Sequence, residues 1–302
     1  EKLVLELGKL QQPSKRASTS EGFMLKELFE KIQEDEDWNS QGRLQVYIRM
    51  YKLLKGDEGE SLYEILKLMQ RTESLWERDE LANLLMSLIN FSIRGLNQTG
   101  SPQRAQELFL LFEWGIESRL FFIDQNLPEI IYKNLIDICL RIENYQKASK
   151  YLESLKNLLP EARREECYRF NLGRYHFERK AYKEVISCFI GHRFTNLVDE
   201  IDARTFLLQS QYELASEEPD WIARQLNTLA RFVKNQELSP QFKLAMKNGL
   251  RLFRKLVLAY TAFEYEQLLT QIEKTRPLYR AQWLAKKTKE HIKKRPESNP
   301  TS

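Results

Sequence analysis

Apolar side chains recur along this chain at steps of three and four. Over 239–260 the series is Phe242, Met246, Leu250, Phe253, Val257 and Tyr260, which makes one face of an α-helix. Over 41–55, Leu44, Ile48, Tyr51 and Leu54 do the same. Over 79–96, Leu81, Leu84, Leu85, Leu88 and Ile89 form a wider stripe, as a helix packed on two sides would show. The spacing predicts about fourteen helices, at 21–36, 41–55, 59–73, 79–96, 102–118, 128–142, 144–158, 161–179, 182–190, 198–216, 219–235, 239–260, 262–275 and 277–293. No segment alternates convincingly as a strand. Leu120–Ile123 is apolar enough for one but has no partner run. The expected fold class is all-α.

Proline marks the breaks. Pro102, Pro128, Pro160, Pro219, Pro240 and Pro277 all interrupt the periodic segments, because proline suits a first helical turn and not an interior. Ser101 and Ser239 stand directly before a proline, as N-caps do. Short links such as Lys55–Gly59 and Arg141–Asn144 make successive helices antiparallel.

The chain also repeats itself. Leu135, Tyr145, Ala148 and Leu152 return 37 residues later as Leu172, Tyr182, Val185 and Phe189. That period marks stacked helix–turn–helix units. Residues 129–162 carry large and small residues in a set order: Tyr132, Leu135, Ile136 and Cys139, then Ala148, Leu152 and Leu155, then Pro160. A second copy over 166–199 has Leu172-Gly173, Val185 and Phe189, with His176 where an aromatic is expected. Weaker copies cover 201–235 and 79–118.

These residues resemble the tetratricopeptide (TPR) repeat. The resemblance implies a right-handed α-α superhelix, a TPR-like solenoid of about seven antiparallel helix pairs. It implies one solenoid domain over 21–295; the polar, faceless stretches at either end are expected to make 1–20 a flexible segment and 296–302 a disordered tail. Small residues let paired helices approach, and bulky ones fill the gap to the next pair. The resemblance further implies a peptide or protein partner in a concave groove lined by Lys133, Asn134, Asp137, Arg141, Asn171, Arg174, Glu178, Gln209 and Glu213. Some relatives clamp a C-terminal carboxylate with a lysine, two asparagines and two more basic residues. Lys133 and Asn171 fit that set, but Asp137, Asp202 and Phe206 take the other places. Two carboxylates there repel an acidic tail.

Composition agrees with helices throughout: 11 Gly and 9 Pro are few for 302 residues. Three cysteines, Cys139, Cys167 and Cys188, are too few for a disulfide framework and fit a reducing, cytoplasmic setting. No apolar run approaches the length of a membrane span. The chain begins with Glu1 rather than Met and is read as a fragment with further repeats upstream. Charge is uneven. From Pro240 onward there are 14 Lys/Arg against 5 Glu and no Asp, so the basic character sits at the C-terminal end.

Chemical motifs are sparse. His176, His192 and His291 fall in different elements, with no His-x3-His or Cys-x2-Cys spacing for a metal. Cys167 and His176 share a helix but stand about 13 Å apart, too far for a nucleophile and its base. No glycine-rich phosphate loop occurs. Neither enzyme activity nor a cofactor is expected. A basic patch is: Lys243, Lys247, Arg251 and Lys255 recur every four residues, and the last helix adds Lys286, Lys287, Lys289, Lys293, Lys294 and Arg295. The expected function is a non-catalytic interaction scaffold. The alternative is a binder of nucleic acid or another anionic surface through 239–295.

Overall fold

The structure, a computed structural model, describes residues 42–56 and 59–294. The predicted helix 21–36, the segment 1–20, the tail 296–302 and Arg295 lie outside the described residues. Within them are thirteen α-helices and no strand. The stretch 120–123, apolar enough for a strand, contributes only an isolated bridge from Ile123 to Asn126. The all-α class holds.

The chain divides into two compact units, 1–167 and 168–302. The first holds α1 (Gly42–Lys55), α2 (Leu62–Arg71), α3 (Arg78–Thr99), α4 (Pro102–Glu117), α5 (Glu129–Arg141) and α6 (Tyr145–Lys156). Helix α7 (Arg164–Glu178) spans the boundary. The second holds the rest of α7, then α8 (Tyr182–Phe189), α9 (Leu197–Leu214), α10 (Pro219–Lys234), α11 (Pro240–Leu258), α12 (Ala262–Lys274) and α13 (Ala281–Lys294).

In the first unit α1 packs on α2, α3 on α4, α4 on α5 and α5 on α6. The wide stripe of α3 is buried as its pattern requires: Leu81, Leu84, Leu85, Leu88 and Ile89 are all at most 3% exposed. Ser101 caps α4 by accepting from the Arg104 N–H at 3.4 Å, and Pro102 fills the first helical position. The α5–α6 pair is pinned by Tyr132, a fully buried ring whose hydroxyl donates to the Leu152 carbonyl at 3.0 Å. Glu113 of α4 accepts from Lys147 and from the Tyr151 hydroxyl of α6. Arg163 joins Glu129 and Glu166.

In the second unit α8 packs on α9, α9 on α10, α10 on α11, α11 on α12 and α12 on α13, and α13 returns to α11. One core gathers the rings of Phe170, Phe177, Phe189, Phe194 and Phe206. Gly173 leaves room for one of them, since a Cβ there would stand 2.2 Å from the Phe189 ring. A second core joins α9, α10 and α11 to the α12–α13 hairpin through Leu226, Met246, Leu250, Phe253, Leu268 and Leu284. Thr261 and Glu264 form a reciprocal capping box at the start of α12, satisfying donors that a helix start leaves unpaired. Ser239 caps α11 as its place before Pro240 predicts.

The last predicted helix needs a correction. It begins at Ala281, not at 277. Residues 275–280 form a loop laid on α11, where Tyr279 N–H donates to the Ala245 carbonyl at 3.2 Å and Asn248 to the Pro277 carbonyl at 2.9 Å. Arg280 has φ +57°, a left-handed conformation that an α-helix cannot contain.

Candidate binding cleft

In the second unit a cleft of about 450 Å³ opens between the end of α7, the start of α8 and the start of α13. Phe177, Tyr182 and Trp283 give it apolar walls, and Lys180, Arg280, Lys286 and Lys287 give it cations, against one carboxylate, Glu178. Each group is placed by local structure. Lys180 sits in the tight α7–α8 turn at φ +58°. Arg280 closes the loop before α13 and acts as that helix's first acceptor, its carbonyl taking the Leu284 N–H at 3.0 Å. Lys286 and Lys287 follow within two turns.

The lysines are partly spoken for. Lys287, on a side chain only 12% exposed, bridges Glu213 of α9 at 2.8 Å and Glu290 at 2.7 Å. Burial pulls its ammonium down, but hydrogen bonds to the two carboxylates outweigh that and hold it above a lysine's usual value. Trp283 donates its indole N–H to the same Glu213 at 3.1 Å. Further along α13, His291 pairs with the Tyr212 hydroxyl at 2.6 Å and stacks on Tyr265 with ring centroids 4.7 Å apart.

Arg280 differs. Its guanidinium carbon lies 3.8 Å from the centroid of the Phe206 ring, a cation–π arrangement. Its Nε and Nη2 are buried and have no hydrogen-bond partner among the described residues. The nearby Asp202 accepts from the Tyr279 hydroxyl instead. Burial raises the Asp202 carboxyl by more than the Arg280 charge and the Tyr279 hydroxyl lower it. Arg280 and Trp283 also line a small cavity of about 10 Å³ together with Gln209. Gln209 is fully buried, and neither polar atom of its amide has a hydrogen-bond partner among the described residues.

The residues expected to line a groove fare unevenly. Glu178 is exposed and borders the cleft. Glu213 reaches α13 but is held by Lys287 and Trp283. Asn171 and Gln209 do not face solvent as expected: both are 0% exposed. For Gln209 the cause is plain, since Tyr279, Trp283 and Leu284 of the C-terminal segment wall the same cavity. The chain's own last hairpin covers that part of the face. Arg174 is half-buried against the Phe170 ring. Lys133, Asn134 and Asp137 are half-buried on α5 of the first unit, and exposed Arg141 points at the Leu96 carbonyl.

The basic patch is corrected in one member. Lys287 belongs to a nearly buried ion-paired cluster and not to a free cationic surface. Lys247, Arg251 and Lys255 are exposed on α11, and Lys286, Lys289, Lys293 and Lys294 on α13, while Lys243 is half-buried. Sequence reasoning missed Arg280 and Trp283 altogether. They meet α7 and α9 from about 70 residues away or more, and no local pattern carries that.

In the first unit a depression of about 540 Å³ lies between α1 and α2. There Arg49 pairs with Glu60 and Lys67 with Glu64, and Lys52 and Arg71 add two further cations to its lining.

Among the described residues no group of His, Cys, Asp or Glu could hold a metal ion, and no helix is long and apolar enough to cross a membrane. The three cysteines are buried. Burial pushes the Cys139 thiol up to about 12 and raises Cys188, the opposite of an activated nucleophile. Comparison of the chain with models of known families, with curated proteins and with solved structures finds no match.

Proposed function

We propose that this chain is a non-catalytic interaction protein, a TPR-like array that holds a peptide segment of a protein partner in the cleft between α7, α8 and α13. The observation that carries this reading is the cleft's make-up: aromatic walls formed by Phe177, Tyr182 and Trp283 beside the cations Lys180, Arg280 and Lys286. Aromatic and arginine side chains are the usual anchors of protein interfaces. The repeat pattern over 129–199 supports the array, and Gly173 under Phe189 is the close approach that pattern calls for. Buried cysteines that form no disulfide among the described residues support a reducing, cytoplasmic setting. The test is selection of a random dodecapeptide display library on the full chain. Enriched peptides should lose binding to a Lys180→Glu/Lys286→Glu variant that melts like the wild type. Equal binding by that variant would remove the cleft from the reading.

A second reading rests on the exposed row Lys247, Arg251 and Lys255 of α11. Like charges four residues apart do not stabilise the helix, so a polyanion is a reason for them. Binding to a 20-mer RNA that weakens steeply with salt, and is lost in Lys247→Glu/Arg251→Glu, would favour it.

A further inference from the structure

We propose that the exposed face of α11, together with the α11–α12 turn, docks on an anionic lipid bilayer. This surface includes the cationic row of the RNA reading above, gives it a different ligand, and does not depend on the cleft. Beyond the first turn of α11 the exposed residues are Leu244, Lys247, Arg251, Arg254, Lys255 and Leu258. Their steps of three and four place them in one strip along the helix. No carboxylate occurs anywhere on α11. None of the four cations forms an ion pair among the described residues, and Lys255 donates only to the neutral Gln271 side chain, at 2.8 Å.

The strip runs into the turn, where the apolar side chains stand out. Leu258 is 42% exposed, Tyr260 79% and Phe263 65%. A single exposed apolar residue is ordinary, but three within six residues beside a row of cations mark an interaction surface. The turn is also held in shape. Glu264 accepts from the Tyr260 and Thr261 N–H groups, both at 2.8 Å, in the capping box. The Tyr265 hydroxyl donates to the Ala259 carbonyl at 2.7 Å. Phe263 is thus presented on a backbone that has little left to order on binding.

The charge balance is positive. At this end of α12 the carboxylates are Glu264 and Glu266, and Glu264 already caps the helix start. Four cations face these two acids. Glu273 and Lys274, at the other end of α12, offset each other. RNA accounts for the cations but not for Leu244 and Leu258 in the same strip, since a leucine offers no ring on which a base can stack. A second copy of this chain would have to bring an acidic face to match. An anionic bilayer meets both features. Its headgroups draw the guanidinium and ammonium groups while their stems lie along apolar surface. Leu258, Tyr260 and Phe263 enter the boundary between headgroups and acyl chains, where aromatic side chains collect.

The experiment is cosedimentation of the full chain with vesicles of phosphatidylcholine alone and of two parts phosphatidylcholine to one of phosphatidylserine. Binding to the anionic vesicles that weakens with salt, and little to the neutral ones, is expected. Leu258→Ser/Phe263→Ser should lower partition into the anionic vesicles about tenfold, and Arg251→Glu/Lys255→Glu about a hundredfold. All four positions are exposed, so both variants should melt like the wild type. Phe263→Trp gives a second readout: its emission above that of the wild type should be quenched by lipids brominated on the acyl chain. No preference for the anionic vesicles overturns the proposal. So does a serine variant that binds like the wild type, for the contact is then charge alone, and so does an unquenched signal from Phe263→Trp. If the 20-mer RNA binds more tightly than the vesicles and loses as much in the serine variant, the face belongs to RNA and the lipid assignment falls. If the chain binds no vesicle but associates with itself through the same residues, the face belongs to a second copy and the assignment falls too. If the vesicles bind as expected and the 20-mer does not, the lipid assignment stands and the RNA reading falls.

Discussion

The ring of Phe189 occupies the space that a side chain at Gly173 would need: a Cβ on that glycine would stand 2.2 Å from Phe189 Cζ. Helix α7 therefore meets α8 through an aromatic ring set against bare backbone. The ring is 3% exposed and touches Phe170, Phe194 and Phe206 as well, so it has nowhere to retreat.

Gly173→Ala tests this contact. In an open helix the change would stabilise by about 1 kcal/mol. Here overpacking should reverse the sign, for a net loss of about 1–2 kcal/mol. A thermal melt should fall by several degrees. A rise would show that the ring yields freely.

The Glu213–Lys287 pair joins α9 to α13 with side chains 11% and 12% exposed. Lys287→Ala leaves Glu213 with the Trp283 indole and the Tyr182 hydroxyl but no cation partner. A loss of about 1–3 kcal/mol in urea unfolding is expected, because the remaining carboxylate is nearly buried. Replacing both residues, Glu213→Leu with Lys287→Met, should recover most of it. Single and double variants equal to the wild type would mean the pair holds nothing.

His176 sets a pH dependence. Burial holds its imidazole below the usual 6.5; Arg179 acts the same way and Glu184 opposes. Below about pH 6.5 the unfolded chain takes up a proton that the folded chain refuses until lower pH. The unfolded state then binds more protons, so stability declines as pH falls through that window. The difference in urea midpoint between pH 7.5 and 5.5 should shrink in His176→Gln. An unchanged difference would remove His176 from the account.

On α11, Lys243, Lys247 and Arg251 are spaced four apart. Lys247→Glu exchanges two repulsive pairs for two attractive ones, a gain of about 1 kcal/mol. The expected outcome is a higher melting temperature together with weaker RNA binding. A stabilised variant with undiminished RNA binding would leave the stripe as a solvated surface.

The helices were legible in the sequence because an apolar step of three or four is a local property. The burial of α3 on two sides, the serine caps at Ser101 and Ser239, and the Gly173–Phe189 approach all show in residues close together in the chain. What could not be read is where α13 lands. Trp283 and Glu213 are 70 residues apart, and Tyr212 and His291 are 79 apart. Nothing local in either stretch names the other. The basic C-terminus looked like one patch because charge was counted by neighbours in sequence. Lys287 left it once its partners in space, Glu213 and Glu290, were known. Arg280 was hidden for a different reason: a left-handed arginine at the end of a Pro-Leu-Tyr-Arg run looks like the opening of a helix.

The cleft takes its floor and one wall from residues 280–287, and its other side from 177–182. On a ribosome the second group emerges about a hundred codons before the first. A growing chain thus shows the bare flank of α9 to its surroundings over the roughly seventy residues made between α9 and the segment 279–284 that covers it. Chains cut short between residues 214 and 279 should keep that flank uncovered and adhere to chaperones.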